Sequence, residues 1–590
     1  MAQEVPTLYT LAVQAAVNDC SNCKFCKKAF RELPDNALFD FYERMFVEKR
    51  LCILVNEFNN LDILQRMLRM RHKRRSLLKN FQMLIDHCPG MINNIVTCYQ
   101  KLASGLAKDS LFDRVKCIQF GLRVGTFFKE GGWFFGSLYV LNIVDELCKS
   151  TEKSTNISLL LLNCLYIRLY VESYYSLTNT QSTFDEIMGI LEDLKSSNNL
   201  PNLAGMYGVF AAMYFQKSEY DQAYIWSRKA VQNLNKDVPK RVIIDILRFA
   251  SKSCIVKRQL RQAELLIKQA MSLSSKMFEI DGHPRHSDVL MDYGFYLLNS
   301  DCITASVTHY RKALNIRKEI FEKNNILVAI AYDDLSYAQY VYEYSSGNFY
   351  NPRDNVERAI RIMEKLLPND HILLASAKKV KALILEEIAL DMRQSNSYGH
   401  QREYLAEAEE LHKSALEIWQ KSFGEYNVQT AKHYGNLGRL YQTMMLFQEA
   451  EEMHLKAIEI KEKLLGPDDF EVGLSIGHLA SLYNYHMKRY SDAEKLYLRS
   501  INISLNLFGP TYSGLEYDYR GIIHVYTELE DYDNMAKYSA LMLRWSEYRK
   551  DGEIISYPDV PDELDDLIKG FFNLEIEHSE EKNEIRLNLN

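Results

Sequence analysis

Residues 431 to 466 read AKHYGNLGRLYQTMMLFQEAEEMHLKAIEIKEKLLG, and their apolar and small positions recur with helical spacing. Leu437, Gly438 and Tyr441 are followed by Ala450 and Ala457, which puts small residues where two antiparallel helices approach closely. The next stretch repeats the arrangement with Leu479, Ala480 and Tyr483, then Ala493, Tyr497 and Ser500, and the preceding one offers Ala408 and Ala415. Ala408, Ala450 and Ala493 are 42 and 43 positions apart, as are Gly424, Gly466 and Gly509 at the predicted turns between units. Two independent markers therefore give one period.

Earlier copies begin at YGVFAAMYFQ (207), LRFASKSCIV (247), MDYGFYLLNS (291) and AYDDLSYAQY (331), the last with an insertion around GNFYNPRDN. These units resemble the tetratricopeptide repeat in its longer, kinesin-light-chain-like form of about 42 residues. A unit of this size cannot bury its apolar face alone, so the pattern predicts an all-α fold, a right-handed α-solenoid whose concave wall suits an extended peptide. Tyr and Ala in the stripes read first as inter-helix packing.

Composition agrees. Only 25 Gly and 12 Pro in 590 residues leave little punctuation for short strands. The net charge of −7 resides in the last 40 residues, where 12 acidic and 3 basic side chains leave the remainder slightly positive. Such a body argues against phosphate-driven nucleic-acid binding. The 11 cysteines all lie at or before Cys302 without a recurring framework, which predicts reduced thiols in an intracellular, chiefly cytoplasmic protein. No signal peptide is expected at the N-terminus. ISLLLLNCLYIRLYV (157–171) is too short to span a bilayer and contains Arg168, so a buried helix is predicted there.

Two short patterns precede the repeats. Thr7, Leu8, Ala12 and Ala16 follow the spacing of a BC box, the helix by which ubiquitin-ligase receptors bind elongin C, and Leu8, Ala12 and Ala16 share one helical face. Leu33, Pro34, Ala37 and Phe41 match a cullin 2 box. Ala16 and Ala37 are smaller than the residues usual in these boxes.

The stretches FGEYNVQTAKHYGNLGRLYQ, VKALILEEIA, HLASLYNY, AEKLYLRSI and YSGLEYDYRG resemble the amyloid protein-binding protein 2 family from near the N-terminus to about residue 550. The resemblance implies a non-catalytic substrate receptor of a ubiquitin ligase built from elongin B, elongin C, cullin 2 and a RING subunit. It also implies recognition of C-terminal degrons with Arg three positions before a terminal Gly, binding to the cytoplasmic tail of amyloid precursor protein, and association with microtubules. Nuclear, cytoskeletal and membrane-associated locations accompany the cytoplasmic one. A kinesin-light-chain-like cargo adaptor is the alternative.

Counting from the small residue of each first helix, the positions predicted to face the groove are Asp288 and Asp292, then Asp333 and Asp334, assigned to the degron arginine. Further along they are Lys379, Lys432, Asn436 and His478, with Arg439 one residue past its marker, assigned to the terminal carboxylate and peptide backbone. Solvated faces and pairs between repeats are the competing explanation.

Cys20, Cys23 and Cys26 have two zinc-like intervals but no second pair at finger distance. His72 or His87 would have to join them through the fold, so no metal and no cofactor is expected. RMRHKRRSLLK (69–79) reads as a solvated helical face, with an acidic or nucleic-acid surface as the alternative. The expected organisation is an elongin- and cullin-binding segment at 1–60, degenerate helical repeats at 61–200, tetratricopeptide repeats at 201–550 and a disordered acidic tail at 551–590, with a short docking helix at the apolar stripe of DELDDLIKGFFNLE as the alternative. Homo-oligomerisation is left open by the sequence.

Overall fold

The computed structural model describes residues 7–19, 31–105, 111–278, 282–344, 346–394, 398–550, 561 and 563–588, and all its regular elements there are helices. The chain is an all-α repeat solenoid. Its contacts gather into two compact units, one made of Met1–Met213, Leu273–Val289 and Lys312–Val328, the other of Tyr214–Ser272, Leu290–Arg311 and Ala329–Asn590.

In the first unit, α1 (Leu8–Asp19) starts at Thr7, whose hydroxyl accepts from the Thr10 amide at 3.2 Å and so occupies one orphan donor of the first turn. α2 (Asp35–Val47) follows Pro34, whose φ of −55° suits a helix entrance. It buries Leu38, Phe39, Phe41, Tyr42, Met45 and Phe46. The basic run at 69–79 differs from the solvated face expected of it. Lys73 pairs with Asp40 at 3.4 Å, Arg74 with the buried Glu130 at 3.4 Å and Arg75 with Glu319 at 3.2 Å, so long side chains that read as a surface stripe join separate helices instead. A buried amide knot serves the same purpose: Asn325 donates to Gln82 Oε1 at 2.9 Å and to the Gly131 carbonyl at 2.7 Å, and Trp133 Nε1 donates to the same Gln82 oxygen.

The second unit carries the repeats. Their first helices include α3 (Lys240–Val256), α4 (Pro284–Asn299, from Leu290 onward), α5 (Ile326–Glu343, from Ala329 onward), α6 (Ile372–Gln394), α7 (Val428–Thr443), α8 (Phe470–Tyr485) and α9 (Leu515–Glu528). From α5 onward, each is followed by its antiparallel partner: Tyr350–Leu366, Tyr398–Phe423, Phe447–Leu465, Tyr490–Phe508 and Tyr532–Lys550.

The glycine markers lie at the expected joints, with φ of 79°, 89° and 75° at Gly424, Gly466 and Gly509. A second set of left-handed residues was not foreseen. Ser218, Arg258, Asp301, Met445, Lys488 and Glu530 have φ between 55° and 64° at the tight turn inside each helix pair, although none is glycine. The small phase markers also contact what the pattern required. A Cβ at Gly438 would lie 2.8 Å from the His454 ring, and Ser306 donates to the Gly294 carbonyl at 2.7 Å.

The acidic tail departs from the expected disorder over residues 564–588, which form α10 (Leu564–Asn588). Leu567 and Phe571 are fully buried, Gln262 donates to the Phe571 carbonyl at 2.8 Å, and Tyr224 and Arg228 both engage Glu575. The apolar stripe in DDLIKGFFNLE is the physical reason: Asp565, Asp566 and Lys569 are exposed, while Leu567 and Phe571 supply buried area and Glu575 finds partners on the surface they cover.

Candidate peptide-binding surface

The candidate surface of the second unit is drawn from α5 to α9, the helices that carry the groove positions expected from the sequence. Tyr337 and Tyr340 follow Asp333 and Asp334 on α5, with Tyr344 one turn beyond, so all five lie along one side of the helix. On α6, Lys379 is followed two turns later by Glu386 and Glu387. Lys432, Asn436 and Arg439 line α7, Glu471 and His478 lie on α8, and Tyr517 lies on α9.

The four predicted acidic positions do not behave alike. Asp288 belongs to the first unit and accepts from Arg317 at 2.7 Å. Asp292 is buried and holds Arg248 at 2.7 Å and Lys252 at 3.5 Å. Both carboxylates are thus occupied by basic residues of the chain. Asp333 is only 7% exposed, and its Oδ1 has no hydrogen-bond partner among the described residues. Burial and the neighbouring Asp334 push its ionisation up to about 7, against the opposing pull of Lys379 and Ser376.

The predicted basic positions divide the same way. Lys432 is paired with Glu471 at 2.7 Å, and Arg439 reaches Glu386 at 3.0 Å and Glu387 at 3.2 Å. Lys379 makes no ion pair among the described residues; burial holds its amine below the usual lysine range, and the Lys432 charge adds to that while Asp333 opposes it. The Asn436 amide, half-buried, has no hydrogen-bond partner among them either. His478 stacks on His454 and meets Tyr517 edge-on, at centroid distances of 6.2 and 6.0 Å, and desolvation keeps it neutral. The acidic and basic positions therefore adjoin, since Asp333 and Lys379 perturb each other directly.

Sequence reasoning missed Glu386, Glu387 and Glu471, which neutralise the expected cations, and the tyrosines between them. Spacing held a signal for both: Glu386 lies seven positions after Lys379, and Tyr337, Tyr340 and Tyr344 follow i, i+3, i+7. Tyr337, Tyr344 and Tyr517 are 38%, 59% and 45% exposed, yet desolvation raises all three phenols, as happens where solvent reaches a surface that protein surrounds.

Of the N-terminal residues, Thr7, Leu8 and Ala12 are exposed and Ala16 is half-buried, with Leu8 at 85% exposure. The opposite side of α1 buries Val17, and Tyr9 donates to Asp40 of α2 at 3.0 Å. Pro34 is exposed, Leu33 and Ala37 are half-buried, and Phe41 lies in the core with its ring 5.9 Å from that of Tyr42. Cys20, Cys23 and Cys26 fall outside the described residues. Among those described, no three His, Cys, Asp or Glu side chains form a metal-binding group, and no helix is long and apolar enough to cross a membrane.

Residues 386–463 match the tetratricopeptide repeat family. The chain is 43% identical over 546 residues to amyloid protein-binding protein 2 of Mus musculus, covering 92% of each chain, and equally to that of Rattus norvegicus. Among solved structures it is similar to a Rap protein complexed with competence and sporulation factor, at TM-score 0.39 and 15% identity, over 60% of this chain and 99% of that one. A Podosopora anserina putative kinesin light chain gives TM-score 0.29 and 17% identity, over 38% and 96% of the respective chains.

Proposed function

Because the chain belongs to the amyloid protein-binding protein 2 family, we propose that this tetratricopeptide-repeat protein is the substrate-recognition subunit of a cullin 2–elongin B/C–RING ubiquitin ligase. In this reading it receives C-terminal peptides of the Arg-x-x-Gly type on its inner wall and performs no covalent chemistry itself, which an E2 enzyme and the other subunits supply. Asp333 Oδ1, buried and without a hydrogen-bond partner among the described residues, carries the reading, because such an oxygen is stabilised by an incoming guanidinium. Asp334 stands beside it on α5, while Asp288 and Asp292 would first have to release Arg317 and Arg248. Lys379 and the Asn436 amide are the donors for the terminal carboxylate and backbone. Lys432, Arg439 and His478 shape the wall around them and, apart from His478, are already committed to acidic partners.

Elongin C would take the face of α1 that exposes Leu8 and Ala12. Cullin 2 would meet Leu33, Pro34 and Ala37, with the buried Phe41 supporting them from beneath. The same wall is the proposed seat for the tail of amyloid precursor protein. A cytoplasmic location follows from these partners, with nuclear and microtubule-associated pools where they occur.

Two measurements test the proposal. Co-purification of elongins and cullin 2 should succeed with the intact chain and fail with Leu8→Asp; a chain that retains neither partner in either form is a cargo adaptor instead. A peptide ending in Arg-x-x-Gly should bind the intact chain and lose affinity when its arginine becomes alanine. Equal affinity for both peptides would remove Asp333 from the reading.

A further inference from the structure

Three sets of contacts in the second unit join residues about five repeats apart, and each lies one repeat beyond the last. Asn427 donates to the Lys217 carbonyl at 2.9 Å and Gln429 to the Tyr220 hydroxyl at 3.1 Å, across separations of 210 and 209 residues. One repeat on, the Arg258 guanidinium lies 4.3 Å from the centre of the Phe470 ring and 5.7 Å from that of Phe508. One further on, Asp301 accepts from the Ser513 hydroxyl at 2.7 Å, across 212 residues, and from Arg549 at 2.6 Å. In each set the turn inside one helix pair meets the start of a first helix, or the loop leading into it, five repeats later, and in two sets also the end of a second helix, at Phe508 and Arg549. Arg258 and Asp301 are themselves left-handed turn residues.

These contacts form a seam along which one superhelical turn of the repeats meets the next. Without it, the inner wall would be a trough open along its side. With it, the first helices of five successive repeats enclose a passage far too narrow for a folded domain. The tyrosines that are exposed yet desolvated fit a wall of this kind. Tyr220 of the seam also acts electrostatically on Lys432, so the seam borders the candidate binding residues.

We propose that the inner wall of the second unit is a closed ring that admits its ligand only end-on, so that the seam itself excludes internal segments of folded proteins. The inference rests on the peptide-binding reading above and adds a selection rule to it: a free end threads, whereas the same sequence held between two domains does not.

Three ligands separate this rule from recognition of the carboxylate alone. They are an Arg-x-x-Gly peptide with a free carboxylate, the same peptide amidated, and the same sequence embedded between two folded domains. The amidated peptide should bind more weakly than the free acid, yet on the order of 100-fold more tightly than the embedded sequence. An Arg258→Ala/Asp301→Ala variant should bind the embedded sequence at least about ten-fold better than the intact chain does. Equal affinity of the intact chain for the amidated and embedded ligands overturns the proposal, as does a seam variant that gains nothing. If the free acid itself does not bind, the peptide reading falls, and the ring is judged by cross-linking. A short bismaleimide should join the introduced cysteines of a Tyr220→Cys/Gln429→Cys variant in solution, and absence of that cross-linked peptide overturns closure.

Discussion

Asp333 and Lys379, on neighbouring helices of the inner wall, each shift the other's ionisation, yet no ion pair joins them among the described residues. Burial drives the carboxylate toward neutrality, so that Asp333, near 7, carries less than a full charge at neutral pH, and the same burial holds the Lys379 amine below the usual lysine range.

The first prediction follows from that carboxylate. An ordinary aspartate ionises near 4, and Asp333 near 7. Between those values the native protein keeps a proton that the unfolded chain has lost, so its stability falls as pH rises through the window. Asp333→Asn should therefore stabilise the second unit at pH 8, by on the order of 1–3 kcal/mol, and have little effect at pH 5. Urea midpoints at the two pH values measure this. Binding of an arginine peptide at pH 6.5 should also release a proton, which calorimetry in buffers of different ionisation enthalpy detects.

Arg439 presents the opposite case. Its guanidinium compensates Glu386 and Glu387, of which Glu386 is 2% exposed, and burial and Glu386 lift Glu387 to about 7 despite the arginine. Arg439→Met leaves two buried carboxylates uncompensated and should cost about 3–5 kcal/mol. Adding Glu386→Gln and Glu387→Gln should recover most of the loss, and a thermal melt of the two variants settles the comparison.

Gly521 faces the Tyr497 ring so closely that a Cβ would lie 2.2 Å from its Cζ, and Tyr497 is fully buried. Gly521→Ala should cost about 1–3 kcal/mol. The same change at Gly105, where a Cβ would meet nothing within 4 Å, should stabilise its helix slightly.

How much of this was readable in advance depends on the reach of each interaction. The helix pairs, their period and the glycine joints are written in local windows, and the phase of the small residues singles out the positions of α5 to α8 on which the proposal stands. The pairings were not local. Arg248 reaches Asp292 across 44 residues and Arg439 reaches Glu386 across 53, roughly one repeat away, so each partner occupies a similar phase in the adjacent unit. A window of one repeat cannot display such a pair. Phe41 shows the same blindness at the N-terminus, where motif spacing names a residue without revealing that its ring belongs to the core.

His454 carries the last prediction. Its ring is fully buried against Gly438 with neither nitrogen partnered among the described residues, and desolvation drives its ionisation down to about 3. The unfolded chain takes up that proton near 6.5 and the folded one does not, so stability drains away as pH falls from 6.5 toward 3. His454→Leu should reduce the difference between urea midpoints at pH 7 and pH 5. His412, equivalent by one repeat and equally unpartnered, should respond in the same direction.

The helix at 564–588 has a consequence for assembly during synthesis. Its anchors, Leu567 and Phe571, lodge on side chains that left the ribosome more than 300 residues earlier, near Tyr224 and Gln262. Solenoids ordinarily consolidate from neighbour to neighbour as they emerge. Here the flank of the earliest repeats in the second unit waits, partly uncovered, until α10 itself has been synthesised, and a nascent chain halted short of α10 presents that flank to whatever chaperone is at hand.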